Sequence, residues 1–296
     1  MKHTLWFIIN PISGNSKKTT LEDSINQWID KQKYEVEYHY TQYAGHGYAL
    51  GLEAVEKKIE VVCAVGGDGS VHEIGKALVG STTKLAILPL GSGNGIARHF
   101  GIQENLKSAI QNINRGSTNT IDVFQCGDQT GIGFGGFGFD AFIARKFKGS
   151  TFRGFWRYVY LIIKHYFSYR PNRFSIQHGK ETIQGKFLVV SIANASQYGN
   201  GFVISSRASM SDGELVLVLI KPFPWYMAFS IVWHAFTKQL HRSRYVNEIP
   251  FREIMLETDG AWGQIDGEVI KINSPISLKV IPHNLNVIVP NHENES

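Results

Sequence analysis

The chain has 296 residues, 43% of them hydrophobic and 19% charged, with a formal net charge of +5 and a pI near 9.0. That composition supports a sizeable core, divided between two domains, and excludes collagenous, low-complexity and disordered classes. The mild positive excess is compatible with anionic partners such as nucleotides or lipid headgroups; an ordinary solvated surface also accounts for it, and no nucleic-acid partner is expected.

In chain order, LWFIIN (5–10) reads as a strand that leads through a Gly/Ser turn to a helix over 21–32. YEVEYHYT (34–41) alternates like a strand and precedes a helix over 48–57. VVCAV (61–65) and a helix over 70–77 follow, then KLAILPL (84–90), a second Gly turn and helices reaching residue 113. Regular strand–helix alternation predicts a parallel sheet covered by helices. From residue 121 the texture changes to short β-like runs: TIDVFQC, KFLVVSIAN, ELVLVLI, REIMLET, AWGQIDG, ISLKVIP and LNVIVP. Separated by Gly, Pro and Asn turns, they predict a mainly antiparallel β-sandwich. The expected fold is therefore an α/β domain over 1–120 and a β-rich domain over 121–296, with no internal repeat.

Two aromatic-rich helical inserts, 152–169 and 224–240, interrupt the β-like runs. FRGFWRYVYLIIKHYFSYR mixes large aromatics with Arg157, Lys164 and Arg170, a composition suited to a bilayer surface. The alternative for each insert is a core helix, or a helix pairing with a second copy in a homodimer. FPWYMAFSIVWHAF (223–236) is the longest apolar stretch and falls short of the roughly 20 residues that span a bilayer. The opening MKHTLWFIINP is too short in apolar length, and too soon interrupted by Asn10 and Pro11, for a signal peptide. Cys63 and Cys126 sit in apolar runs without CxxC spacing and read as buried free thiols. A cytoplasmic protein with no membrane-spanning segment is expected.

Four glycine-rich or polar loops fall at the predicted carboxyl ends of the first four strands, where ligands sit in such folds. NPISG (10–14) presents Asn10, Pro11, Ile12, Ser13 and Gly14. Thr41 ends the second strand. GGDGSVHE supplies Gly66, Gly67, Asp68, Gly69, Ser70, Val71, His72 and Glu73. LPLGSGNGIAR (88–98) supplies Gly91, Ser92 and Asn94 near a helix start. Backbone N–H groups at a helix start, with the helix dipole behind them, form an anion cradle. A Walker loop, GxxxxGK[ST], is absent, as is a GxGxxG after the first strand. Asp68 within the cradle reads either as a carboxylate organising Mg²⁺ beside a phosphate or as a helix N-cap. His72 reads as a solvated helix residue.

NPISG, GGDGSVHE and LPLGSGNGIAR, in this order and spacing, resemble the catalytic domain of the diacylglycerol kinase and sphingosine kinase group. The resemblance continues through GGFGFDAFIA (135–144), SIANASQYGNGFVISSRASMSDGELVLVLI (191–220) and QIDGEVI (264–270), so it covers essentially the whole chain. It implies an ATP- and Mg²⁺-dependent kinase acting on a lipid hydroxyl at the membrane surface, with diacylglycerol going to phosphatidic acid as the leading version. It places the proton acceptor at Glu268, which by itself reads as a hairpin carboxylate. It also implies a structural Mg²⁺ at Asp212 with main-chain oxygens near Ser209 and Glu214, where Asp-Gly alone reads as a hairpin turn. There are departures from the pattern: Gly91-Ser92-Gly93-Asn94-Gly95 replaces the G-T-x-N-D of many diacylglycerol kinases and is closer to the sphingosine kinase version, as is Ser70-Val71-His72-Glu73. Other readings are a sphingoid-base kinase, an NAD kinase-like enzyme, and a non-catalytic lipid- or nucleotide-binding protein.

Overall fold

The computed structural model describes residues 2–12, 18–148 and 155–291. The chain divides into two units, 1–121 together with 283–296, and 122–282.

In the first unit, β1 (His3–Ile9), α1 (Lys18–Trp28), β2 (Tyr34–Tyr40), α2 (His46–Glu56), β3 (Val61–Gly66), α3 (Asp68–Leu78) and β4 (Lys84–Pro89) alternate, followed by α4 (Gly95–His99) and α5 (Leu106–Arg115). Strand β1 pairs in parallel with both β2 and β3, and β3 pairs in parallel with β4. Every residue of β3 is buried, as expected of a continuous apolar run with both faces covered. β2 lies at the edge of the order β2-β1-β3-β4, which explains why its polar residues alternate with apolar ones. The chain moves outward from β1 to β2 and then back past β1 to β3. This reversal opens a crevice at the carboxyl ends of β1 and β3.

β5 (Ser117–Cys126) carries the chain into the second unit. There β6 (Gln129–Gly131), β7 (Phe134–Gly138), α6 (Phe139–Lys148), α7 (Phe155–Tyr166), β8 (Asn172–His178), β9 (Glu181–Phe187), β10 (Val189–Ala193), β11 (Gln197–Gly199), β12 (Phe202–Val203) and β13 (Leu215–Ile220) follow in turn. A 3₁₀ turn (Trp225–Met227) leads into α8 (Ala228–Phe236), and β14 (Val246–Phe251), β15 (Glu253–Thr258), β16 (Trp262–Ile265), β17 (Glu268–Lys271) and β18 (Ile276–Val289) complete the chain. One antiparallel sheet runs β14-β13-β10-β7-β16-β17. The other joins the first half of β18 to β15, β8 and β9, again antiparallel. Phe124, Phe137, Ile176, Ile192, Leu217 and Leu256 belong to the buried cluster of this sandwich.

The expectation that 121–296 forms one domain is corrected at its far end. ISLKVIP and LNVIVP are a single strand, β18. Its second half returns to the first unit, where Val287 pairs in parallel with Leu85 of β4. The handover falls at Pro282, which has no N–H to donate, and His283, whose φ is +49°. Cys63 and Cys126 are free and buried, and burial pushes the Cys126 thiol up to about 12 and Cys63 higher, so neither is a nucleophile near neutrality. Among the described residues no helix is long and apolar enough to cross a membrane.

Candidate functional site

The loops after β1, β3 and β4 are bonded into one structure at the carboxyl end of the parallel sheet. Asn10 donates its backbone N–H to the Val65 carbonyl (3.1 Å). Its Oδ1 accepts from the Ile12 N–H (3.0 Å), and its Nδ2 reaches Ser70 Oγ (3.4 Å). Thr41 donates its N–H to the Ile9 carbonyl (2.9 Å), and Leu90 donates to the Gly66 carbonyl (2.8 Å). Pro11 and Ile12 are exposed, and Ser13 and Gly14 lie outside the described residues.

The glycines here serve close approach rather than left-handed backbone. Gly67 has φ −99° and ψ −168°, an extended conformation open to any residue. A Cβ on Gly91 would stand 2.4 Å from Gly67 Cα, and one on Gly67 would stand 3.1 Å from Gly91 Cα. The two loops therefore cross backbone against backbone. Gly91→Ala is expected to force them apart and lower stability by about 1–3 kcal/mol, the usual cost of overpacking, with the unfolding midpoint in urea as the measure. Gly69 differs: a Cβ there would meet nothing within 4 Å, so open space faces the first turn of α3. The leading N–H groups of a helix lack intrahelical partners and carry the positive end of its dipole, which suits that space to an anion.

Asp68 is the first residue of α3, and Gly67 holds the N-cap position. The carboxylate reaches to the next loop instead, where its Oδ1 accepts from the Gly95 N–H at 2.6 Å. It thereby satisfies a donor at the start of α4 and ties the two glycine loops together. Asn94, buried and left-handed at φ +52°, spends its side chain inside its own loop. It accepts from Gly91 N–H (3.1 Å) and donates to the Gly91 carbonyl (2.8 Å) and Glu104 (3.1 Å). Ser92 is exposed beside it. Further along α3 the side chains turn inward. Val71 is buried, and His72, expected to be solvated, is corrected to buried because it lies on the face of α3 that packs inward with Val71 and Gly75. The Glu73 carboxylate accepts from Gly45 (3.1 Å) and Gly47 (3.2 Å), capping the start of α2.

In the second unit, Glu268 is exposed at the first position of β17, paired in register with Ile265. The intervening Asp266 and Gly267 have φ +48° and +86°, the two positive values of a type I′ hairpin turn. Asp266 is itself buried, and its carboxylate accepts three backbone N–H groups, from Ile132 (2.7 Å), Gly133 (2.8 Å) and Phe134 (2.8 Å). Asp266→Ala would strand these donors and is expected to cost at least about 3 kcal/mol in a urea melt, whereas Asp266→Asn should recover part of it.

Asp212 is exposed, and its Oδ1 accepts from the Glu214 N–H (3.1 Å). Ser209 Oγ accepts from the Ser211 N–H (3.4 Å), and Glu214 pairs with Arg252 at 3.5 Å. Among the described residues no three His, Cys, Asp or Glu side chains gather as a metal cluster. A cation here would rely on one carboxylate and main-chain oxygens. What holds this loop is Asp122, fully buried, whose Oδ2 accepts from the Gly213 N–H (2.7 Å) while its own N–H donates to the Met210 carbonyl (2.6 Å).

Residues 4–126 match the family model of the diacylglycerol kinase catalytic domain, and residues 134–289, just over half of the chain, match that of the YegS C-terminal NAD kinase beta sandwich-like domain. The chain belongs to the diacylglycerol kinase/YegS family. It is 34% identical over 170 residues to a Klebsiella pneumoniae (strain 342) protein named "probable lipid kinase YegS-like", covering 56% of this chain and 57% of that one. It is 26% identical over 223 residues to the diacylglycerol kinase of Bacillus subtilis (strain 168), covering 72% of each. The alignments thus span between about half and three quarters of these relatives. The fold is that of a diacylglycerol kinase crystal structure from Bacillus anthracis str. Sterne, with a TM-score of 0.76, 17% identity and 97% of both chains covered.

Several residues of the family's motif segments hold the second unit together, and sequence reasoning missed them. Gly136 leaves room for Asp140: a Cβ there would lie 2.1 Å from its Oδ2, which instead accepts from Gln264 Nε2 at 2.7 Å. Tyr198 bonds Ser191 and faces Asp140; burial first, and that carboxylate second, hold its phenol well above the ordinary range. Asn194 donates to the carbonyls of Asp122 (2.8 Å) and Ile132 (2.6 Å). The signals in the sequence are the motif segments themselves and polar residues set inside apolar strands, which mark a buried network without naming its partners.

Proposed function

We propose that this chain transfers the γ-phosphoryl group of ATP to a lipid hydroxyl, with diacylglycerol as acceptor and phosphatidic acid as product. One observation carries the nucleotide half of the reading: two glycine loops locked together by the Asp68–Gly95 bond, beside open space at Gly69 and the leading N–H groups of α3. Backbone donors, rigidly placed, suit phosphate oxygens and require no reorganisation when charge develops on them. The oxygen donors near this point, Asp68 foremost, fit a hard cation such as Mg²⁺, which would neutralise the phosphate charge when bound. The lipid half is supported by family membership and by the names of the relatives.

In the transfer, the acceptor oxygen bonds to the γ-phosphorus as the bond to the ADP oxygen breaks, and the hydroxyl proton leaves to a base. Glu268 is the assigned base, an exposed carboxylate on a braced hairpin. The test is an assay with labelled ATP and Mg²⁺ across diacylglycerol, ceramide, sphingoid bases and NAD. Labelled phosphatidic acid is the expected product. Label on a sphingoid base or on NAD would move the reading to that acceptor, and nucleotide binding without any labelled product would leave a binding protein.

A further inference from the structure

The second unit presents an apolar surface that phosphoryl transfer itself does not use. Along α8 the exposed large side chains are Phe229, Val232, Trp233 and Phe236, the spacing of one continuous helical face. Phe229 is 80% exposed and Trp233 61%, and Trp225 and Tyr226 extend the patch from the preceding turn. The opposite face of α8, with Ile231 and Ala235, already fills a buried cluster, and Phe236 meets the Phe202 ring edge-on, so packing within this unit does not require Phe229, Val232 and Trp233 to be apolar. On α7, Tyr160 and Ile163 are exposed in the same manner, and Phe167 is exposed just after its end. That helix is tied to the root of the α8 segment by a hydrogen bond from the Tyr166 hydroxyl to the Phe223 carbonyl.

The charge around the patch indicates what covers it. From Lys221 to Arg244 the chain contains Lys221, Lys238, Arg242 and Arg244 and no Asp or Glu. All four cations are exposed. A second copy of the chain would bring like charge against like. An anionic lipid surface neutralises the cations while its acyl boundary receives Phe, Trp and Tyr rings, the side chains favoured at that depth. We propose that the outer face of α8, with its flanking basic residues, docks the protein on anionic bilayers. This deepens and rests on the lipid-kinase reading, because a diacylglycerol acceptor stays in the bilayer and the enzyme must go to it.

The experiment is flotation with vesicles of phosphatidylcholine alone and of phosphatidylcholine mixed with phosphatidylglycerol, at low and high salt. The wild-type chain is compared with Phe229→Ser/Trp233→Ser and with Lys238→Glu/Arg242→Glu, both confined to exposed positions so that the fold is kept. Wild type is expected to float with the anionic vesicles and to be released by salt. The aromatic pair should weaken binding by roughly a hundredfold or more and the charge pair by about thirtyfold or more. Equal binding to both lipids, no binding, or variants that float like wild type would overturn the proposal. So would a concentration-dependent dimer that the aromatic variant abolishes without any change in flotation. Kinase activity on detergent-dispersed diacylglycerol separates the two readings. Activity without flotation defeats the docking surface alone, and flotation without phosphorylation of any lipid keeps the surface and defeats the kinase assignment.

Discussion

Glu268→Gln is expected to lower turnover by roughly a hundredfold or more, the range that general acid–base groups supply. The amide keeps the size and hydrogen-bonding reach of the side chain but cannot take a proton from the acceptor hydroxyl. The fold should not register the change, because the side chain is exposed and the hairpin is braced at Asp266 rather than at Glu268. ATP affinity should stay as it is, since the glycine loops belong to the other unit. Steady-state rates at saturating lipid, ATP binding by calorimetry and a urea melt together check this. A raised KM with unchanged turnover would mark a substrate-positioning group. Normal turnover would remove Glu268 from the mechanism and leave Asp68 as the remaining carboxylate.

Two substitutions distinguish a catalytic role of Asp68 from its tie to Gly95. Asp68→Ala removes both the charge and the acceptor for the Gly95 N–H, so it is expected to abolish phosphoryl transfer and also to destabilise by about 1.5–3 kcal/mol, the value of a hydrogen bond to a charged group. Asp68→Asn keeps an oxygen that can accept from Gly95 and removes only the charge. It should restore most of the stability and little of the activity if the carboxylate organises a cation and phosphate. Thermal unfolding measured beside turnover decides the matter. Recovery of turnover together with stability in the asparagine variant would make Asp68 a purely structural tie.

The first unit was legible in the sequence because its signals are local. β1, β3 and β4 are apolar runs followed within a few residues by glycine loops and helices, and parallel strands joined by short crossovers become neighbours with little freedom of arrangement. The position of the glycines of 66–69 and 91–95 at strand ends was visible for the same reason. How they are held was not visible: Gly67 and Gly91 are needed because two loops distant in sequence pass at contact distance, and the Asn94 and Glu73 side chains bond loop and helix ends. The second unit was readable as β-rich but not strand by strand. β8, β9 and β14 were not resolved as strands, and GGFGFDA hid a strand and a helix start, β7 and α6, because glycine suppresses both propensities.

By itself, then, the sequence determined the two-part architecture, the place of the glycine loops, the burial of both cysteines and the kinship of the chain, all of which depend on short-range pattern or on motif order. Tertiary structure decided which carboxylates matter. Asp122, Asp140 and Asp266 carry no assigned role in the sequence, yet each is buried and holds a backbone loop or a side chain from a distant segment. Tertiary structure also decided that the last strand belongs to both units, and that α8 turns Phe229 and Trp233 outward. The physical reason is common to all of these: a buried charge is tolerable only where donors converge on it, and an apolar face is exposed or covered according to what packs against it. Both depend on residues brought together across the fold, and no window along the chain contains them.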